Sequence, residues 1–403
     1  MDRDSADVAI VGAGPVGALA ALKLAQAGLR VSLLDAADAP REVLPEGDYD
    51  LRVVALSPAS RQQFEAVGAW PSALAPRAQA YRGMQVWDGS GQGRIEFTAA
   101  ELGVPELGHI IEVPALQWVL DQAIAAQDGR IMRLQGAEFS TLEPTAGGAR
   151  LHCRDGRQIE ARLVIGADGR DSKLRARAGI ALERRDYLQQ GLVAVIEPEQ
   201  AHGGIARQVF TPEGPLGLLP LANGQLSIVW SLGLAQAQRL LDCDEDRFCR
   251  ELALACEQPG FRLVSRRVGF PLILQQADPY AIDNIALVGD AAHAVHPLAG
   301  LGMNLGFEDV AALAEALGDA PISAATPARL QRYARQRRRA VLPALAFLDA
   351  LETLFGTRRG EIVQLRDWGL NLVDRQSRIK AAFMRYALGS GATAHGQVEA
   401  KPV

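Results

Sequence analysis

Little in this chain invites a metal, a membrane span or a nucleic acid. Of its 403 residues only 4 are cysteine. Cys153, Cys243, Cys249 and Cys256 form no CxxC pair and no other metal-like spacing, so free thiols in a cytoplasmic protein are expected. No stretch holds the ~18 uninterrupted apolar residues that a spanning helix needs. The apolar run VAIVGAGPVGALAALKLA is broken by glycines and follows the acidic flank MDRDSAD, unlike a secretory signal. A net charge of -5 argues against a nucleic-acid partner, because phosphate binding needs a basic surface. The one basic run, RQRRRA (335–340), follows Arg329 and Arg332 at helical spacing and reads as a solvated helix face. There is no internal repeat and no low-complexity segment.

What is present is an ordinary globular balance, 48% apolar and 22% charged, with chain enough for two cores. The first unit reads DVAIV strand, GAGPVG turn, ALAALKLAQAG helix ending at Gly28, and RVSLLD strand. That is a βαβ unit. Its turn carries Gly12, Gly14 and Gly17 as GxGxxG, with Pro15 at the helix start. Gly12 permits the tight turn, Gly14 lets a pyrophosphate approach the backbone, and Gly17 lets the helix pack on the strand. The helix start then offers unpaired N–H groups to phosphates. Asp35 closes the second strand, where a carboxylate accepts hydrogen bonds from an unphosphorylated ribose. Against this stands a plain glycine turn followed by an exposed acid.

Further along, LRVVALSPASRQQFEAVGAW predicts a strand and a helix begun at Ser-Pro. MQVWDGSGQGRIEFT predicts a hairpin, and PALQWVLDQAIAAQ a helix with Pro114 in its first turn. A second hairpin turns at Asp155-Gly156. After about residue 181 short strands (GLVAVI, ARQVF, PLGLLPL, QLSIVWSL) imply a mostly antiparallel sheet. An α/β pattern returns at NIALVGD. The expected organisation is an α/β domain of residues 1–180 with 281–330, interrupted by a substrate domain of residues 181–280. Residues 80–100 are free to pack with the latter. A helical segment (331–388) and a flexible tail (389–403) follow.

Two more glycine-acid motifs each end a predicted strand: GADGRDS (166–172), with Asp168, and GDAAHAVHP (289–297), with Gly289 and Asp290. A simple NAD dehydrogenase has no need of them. FAD is longer, and its ribityl chain and flavin require support beyond the first turn. The trio resembles the class A FAD-dependent aromatic monooxygenases. HPLAGLGMNLGFED resembles the signature of their ubiquinone-biosynthesis branch at His296, Pro297, Gly300, Gly302, Asn304, Gly306 and Asp309. Leu301 departs from it, since glutamine is usual there. MQVWD, GHIIE, ARLVIGADG, ARQVF and SIVWSL extend the resemblance to the bacterial 2-polyprenylphenol (2-octaprenylphenol) hydroxylases over residues 7 to about 389.

The resemblance implies a discontinuous Rossmann-like FAD-binding domain of the para-hydroxybenzoate hydroxylase type, with an inserted β-sheet substrate domain and C-terminal helices. It implies FAD, with NADPH or NADH as transient reductant. The first motif would hold the ADP half, Asp168 would lie near the pyrophosphate, and Asp290 would bind the ribityl hydroxyls. Pro297 would lie over the flavin face. Gly300 and Gly302 would let the backbone, with Met303, meet the ring, and Asn304 would hydrogen-bond its edge. Arg52 and Gln117 resemble cofactor contacts, beside the bland readings of a surface arginine and a helix glutamine. Val113 stands near a position where many relatives carry arginine.

The implied reaction is ring hydroxylation of a polyprenylphenol through a C4a-hydroperoxyflavin. The cofactor and the substrate hydroxyl carry the chemistry, so no general base is assigned. His293 and His296 make a weak HxxH metal pair and read as structural parts of the flavin loop. Leu219, Pro220 and Trp230 are candidates for an apolar substrate wall. Implied partners are a prenylated phenol, a ubiquinone-biosynthesis complex, the inner membrane surface and a second copy of the chain. Competing readings are a hydroxylase of another ring position or of a soluble aromatic, and a non-catalytic flavoprotein scaffold.

Overall fold

The structure is a computed structural model that describes residues 5–37, 39–89, 91–295, 301–318 and 321–356. The chain opens with β1 (Ser5–Val11), α1 (Pro15–Gln26), β2 (Val31–Leu34), β3 (Val53–Leu56) and α2 (Pro58–Ala66). Ser57 caps α2 by accepting the Ser60 N–H, and Pro58 sits where its missing N–H costs nothing. Next come β4 (Ala78–Tyr81), β5 (Gly83–Asp88), β6 (Arg94–Thr98), β7 (Gly108–Glu112), α3 (Val113–Ala125) and β8 (Ile131–Leu134). A hairpin of β9 (Phe139–Thr145) and β10 (Gly148–Cys153) leads into β11 (Gln158–Gly166) and the short α4 (Lys173–Arg177).

The second half contains β12 (Ala181–Pro198), β13 (Ile205–Thr211), β14 (Gly214–Pro220), β15 (Leu226–Gly233), α5 (Leu234–Asp242) and α6 (Glu245–Cys256). It continues with β16 (Phe261–Leu263), β17 (Val268–Asp278), β18 (Ala281–Ile282), β19 (Ile285–Leu287) and β20 (His293–Ala294). Two helices follow, α7 (Leu301–Leu317) and α8 (Thr326–Gly356).

Among the described residues the strands build three sheets. The first runs β18-β19-β11-β1-β2-β8, with the β9–β10 hairpin attached to β11. β19, β11, β1, β2 and β8 are mutually parallel. From β1 the chain crosses to β2 on one side, whereas β11 returns on the other, which makes a topological switch point between β1 and β11. Open α/β sheets bind ligands at the carboxyl ends of their strands at such a point. Here the GxGxxG turn follows β1, GADGRDS follows β11, and GDAAH follows β19. Three motifs far apart in sequence thus lie side by side because their strands are neighbours.

The second sheet runs β20-β17-β12-β15-β14-β13-β5-β6. It is antiparallel except that β13 pairs with β5 in parallel. Residues 83–98 and 293–294 therefore join strands from the 181–280 region. The short strand expected at GLVAVI is the second half of the 18-residue β12. Its first half, ALERRDYLQQ, lacks an apolar alternation but pairs with β17 across a bulge between Asp186 and Gln190. Leu188 in that bulge has φ 55°. A third sheet, β3-β7-β4, lies outside the sequence expectations. The predicted helix AVLPALAFLDALETLF is the second half of one longer described helix, α8, with Pro343 inside it. The segment RDWGLNLVDRQSRIKAAFMRYALG and the tail lie outside the described residues.

Apolar residues of β1, α1, α3, β19, α7 and α8 form the largest core. A second core lies between one face of the antiparallel sheet and α5–α6. No described helix is long and apolar enough to cross a membrane.

Candidate active site

The glycines of the first turn divide sharply by what surrounds them. Gly12 has φ 102°, and a Cβ there would meet Ala167 O at 2.4 Å. A Cβ at Gly17 would lie 1.9 Å from Gly12 O. Both are tied to folding, because no side chain fits. Gly14 has nothing within 4 Å of the same point. It is the N-cap of α1, followed by Pro15, and both residues line an open cleft of about 490 Å³. A glycine with no protein neighbour to demand it, at a helix start facing a cleft, fits a phosphate-bearing ligand drawn close to backbone.

The same cleft is lined by Ala167, Gly169 and Arg170 from the second turn, and by Gly289 and Asp290 from the third. Val53, Val54, Val113, Phe270, Ala294, Val295, Gly302 and Met303 complete much of its wall. Asp290 is exposed to the cleft. Protein nevertheless surrounds it closely enough that desolvation raises its carboxyl pKa, against the pull of His293 and Arg170. A carboxylate held at such cost, with no protein donor bonded to it among the described residues, is available to hydroxyl groups.

The turn beneath Asp290 is braced from below. Gly289, at φ 60°, donates its N–H to Asp309 Oδ2 at 2.9 Å. His293 Nε2 meets the same oxygen at 2.7 Å, and Arg337 Nε donates to Asp309 Oδ1 at 2.7 Å. Asp309 is fully buried. Burial opposes its charge, but His293 and Arg337 hold its carboxyl below the usual range. Arg337 is 3% exposed and also reaches Glu308 and Leu305 O. The basic run read as a solvated face is therefore corrected at this position. Arg337 shares the inner stripe of α8 with Tyr333 and Val341, a four-residue spacing legible in the sequence. Arg175 joins the second and third turns, donating to Arg170 O and Ala291 O at 3.0 and 2.9 Å. Neither Arg337 nor Arg175 was singled out from sequence, and Asp309 was matched to a motif without a role.

Several expected ligand contacts are already used by protein. Both Asp168 oxygens accept from α4, one from Ser172 Oγ at 2.6 Å and one from the Leu174 N–H at 3.1 Å. Asp168 braces the start of α4, whose N-cap is Ser172, while its neighbours face the cleft. Asp35 pairs with Arg133 and accepts the Ala37 N–H, and Arg133 also bridges to Asp121 at 2.7 Å. Asn304 accepts from Ser57 N–H at 3.0 Å and donates to Ala55 O at 2.8 Å, fastening α7 to β3. Gln117 donates to Ala13 O at 3.0 Å and so supports the glycine turn from behind. Arg52 leaves its side chain 68% exposed beside Asp50, while the adjacent Val53 and Val54 line the cleft. Pro297, Gly300 and His296, like the Leu301 side chain, lie outside the described residues.

Strand alternation also sorts the substrate-wall candidates. Trp230 packs beneath α5 and α6, on the sheet face turned away from the cleft, and Pro220 shares that face by alternation with Leu218. Leu219 packs with Val53 on the opposite face.

Residues 5–347 match the model of a FAD binding domain family. The chain belongs to this family. Within it, the chain is a class A flavin monooxygenase of the ubiquinone-biosynthesis branch, and FAD is its cofactor. It is 36% identical over 393 residues to the ubiquinone hydroxylase UbiL of Rhodospirillum rubrum, covering 96% of this chain and 90% of that one. It is 33% identical to 3-demethoxyubiquinol 3-hydroxylase of Escherichia coli, covering 96% of this chain and 100% of the relative. The fold is shared with p-nitrophenol 4-monooxygenase PnpA of Pseudomonas putida, with a TM-score of 0.76 at 19% identity over 98% of this chain and 100% of that one.

Proposed function

We propose that this monooxygenase hydroxylates the aromatic ring of a polyprenylphenol precursor of ubiquinone, taking electrons from NADPH or NADH and one oxygen atom from O2. The second oxygen atom leaves as water. FAD supplies the oxygen-activating chemistry when bound. In this reading the α1 start at Gly14 and Pro15 holds the pyrophosphate, and Gly12 and Gly17 shape that turn. Asp290, presented by Gly289 and its buried brace, takes the ribityl hydroxyls. Gly302, Met303, Val53, Val54 and Val113 surround the ring system, with Pro297 and Gly300 completing it. Asp35, Asp168, Asn304, Gln117 and Arg52 act on the frame. The inserted sheet serves as the substrate domain.

The observation that carries the substrate class is apolar surface continuous with the cleft. Val295 lines the cleft and packs on Val86, Ile95, Phe210 and Phe355. Val53 lines it and packs with Leu219 and Val195. Such a wall suits a prenylated ring without charged substituents. The purified protein is expected to be yellow and to oxidise NAD(P)H rapidly only with a prenylphenol present, yielding the hydroxylated ring. Turnover without a phenol, or a colourless protein, would overturn this reading. The full-length match to a 3-demethoxyubiquinol hydroxylase favours a second reading, hydroxylation at another ring position. The prenylphenol that accumulates in a deletion strain distinguishes the two. Exposed Leu188 and Leu342 support contact with a membrane surface or a partner protein, for which vesicle flotation is the test.

A further inference from the structure

The face of the antiparallel sheet that looks toward the cleft can be assigned strand by strand. On β15, Leu226, Ile228, Trp230 and Leu232 point to α5 and α6, so Ser227, Val229 and Ser231 point the other way. Cross-strand pairing then sets Val193, Val229, Gly217, Gln208, Val86 and Ile95 in one row. Cleft-lining residues touch this face in three places. Val295 packs on Val86 and Ile95, Val53 packs with Val195 and Leu219, and the Phe270 ring covers Gly191. The middle of the row lies between these contacts.

That middle is neither filled nor apolar throughout. Gly217 has no side chain, and Val229 beside it is only half-buried. Gln208 is 8% exposed, and its Oε1 lies 3.5 Å from where a Gly217 Cβ would stand. Its carboxamide has no hydrogen-bond partner among the described residues. Its polar atoms are not among those shut away from solvent without a partner, so on a wall of valines the carboxamide is a polar group that a ligand can reach. Two strands away on the same face, the wholly buried Ser227 hydroxyl also lacks a partner among the described residues. The face is therefore unlike the all-apolar side beneath α5 and α6.

We infer that Gln208, seated over the gap at Gly217, hydrogen-bonds the ring oxygen of the aromatic substrate and so selects and orients a phenol. This rests on the proposed function. A carboxamide both donates and accepts, and it carries no charge at any ordinary pH. It can hold a phenol's oxygen without removing its proton, while the surrounding valines take the apolar remainder. Gly217 gives the ring room that any larger residue would remove.

The test compares 2-geranylphenol with geranylbenzene, which lacks only the hydroxyl. Binding is read from the visible spectrum of the flavin in the FAD-loaded full chain. The native protein should prefer the phenol by about tenfold or more. Gln208→Leu should abolish that preference while the Kd for FAD stays within about twofold. Gly217→Val should weaken both ligands together, again sparing FAD. If Gln208→Leu fails to fold, Gln208→Glu keeps the shape, and a change in the preference of at least about fivefold is then expected. An undiminished preference in a folded Gln208 variant overturns the inference alone. A native protein that holds FAD but binds neither compound overturns the substrate reading, and the inference with it.

Discussion

The chain carries two short turns that look alike on paper, GADGRDS and GDAAH, and the structure puts their aspartates to opposite uses. Both turns end parallel strands and stand side by side, on β11 and β19. Asp168 is surrounded by local donors: Ser172 and the start of α4 take both of its oxygens. Asp290 has none, because the donors of its own turn are drawn downward to Asp309. An acid near a ligand cleft is available to the ligand only if its own neighbourhood leaves it unsatisfied. The same criterion separates Gln117 and Asn304, both engaged with backbone, from Gln208.

The sharpest way to break the comparison is to remove the brace. Asp309→Asn should cost about 3–5 kcal/mol of stability at neutral pH, as expected when one partner of a buried ion pair is lost, measured by urea denaturation. Its pH dependence has a definite sign. The folded carboxyl titrates below the unfolded value of about 3.9, so its contribution is present above that value and fades as pH falls through the lower folded one. The gap between native and variant midpoints should therefore narrow below about pH 4. A gap constant with pH would mean that charge at Asp309 is not what matters.

Next in size, Asp290→Asn should raise the Kd for FAD by about tenfold or more, followed by quenching of flavin fluorescence. Because desolvation disfavours this carboxylate in the folded chain, the FAD-free variant should melt no lower than the native protein. Asp168→Ala should do the reverse. It should lower stability by about 1 kcal/mol, the usual effect of losing a side-chain hydrogen bond to a helix start, and leave the FAD Kd within about twofold. If both aspartates affected FAD equally, the distinction drawn between the turns would be wrong. The smallest effect on FAD affinity is expected for Leu301→Gln, which restores the residue usual in the branch. It should change the ratio of hydroxylated product to released hydrogen peroxide more than it changes the Kd, as measured by product analysis and peroxide assay.

Much of the site is legible in the sequence, for identifiable reasons. The βαβ unit, its glycine spacing and the capped start of α2 are local, and local geometry is written in adjacent residues. The backbone roles of Gly12 and Gly17 followed from that spacing. Asp35 and Asn304 were harder, because Arg133 and the β3–α2 junction that engage them lie about a hundred or more residues away. Arg337 was misread by its charge, although its spacing from Tyr333 and Val341 placed it on the buried stripe. Trp230 was misplaced because alternation along a strand names two faces without saying which one meets the cofactor.

By itself, the sequence determined the class of fold, the dinucleotide turn and the family, since each depends on residues close together and on glycines that few other residues can replace. Only the tertiary structure decided which polar groups remain free for a ligand. That depends on donors and acceptors brought from distant strands and helices, and a hydrogen bond satisfied across the fold leaves no mark in the residues beside it.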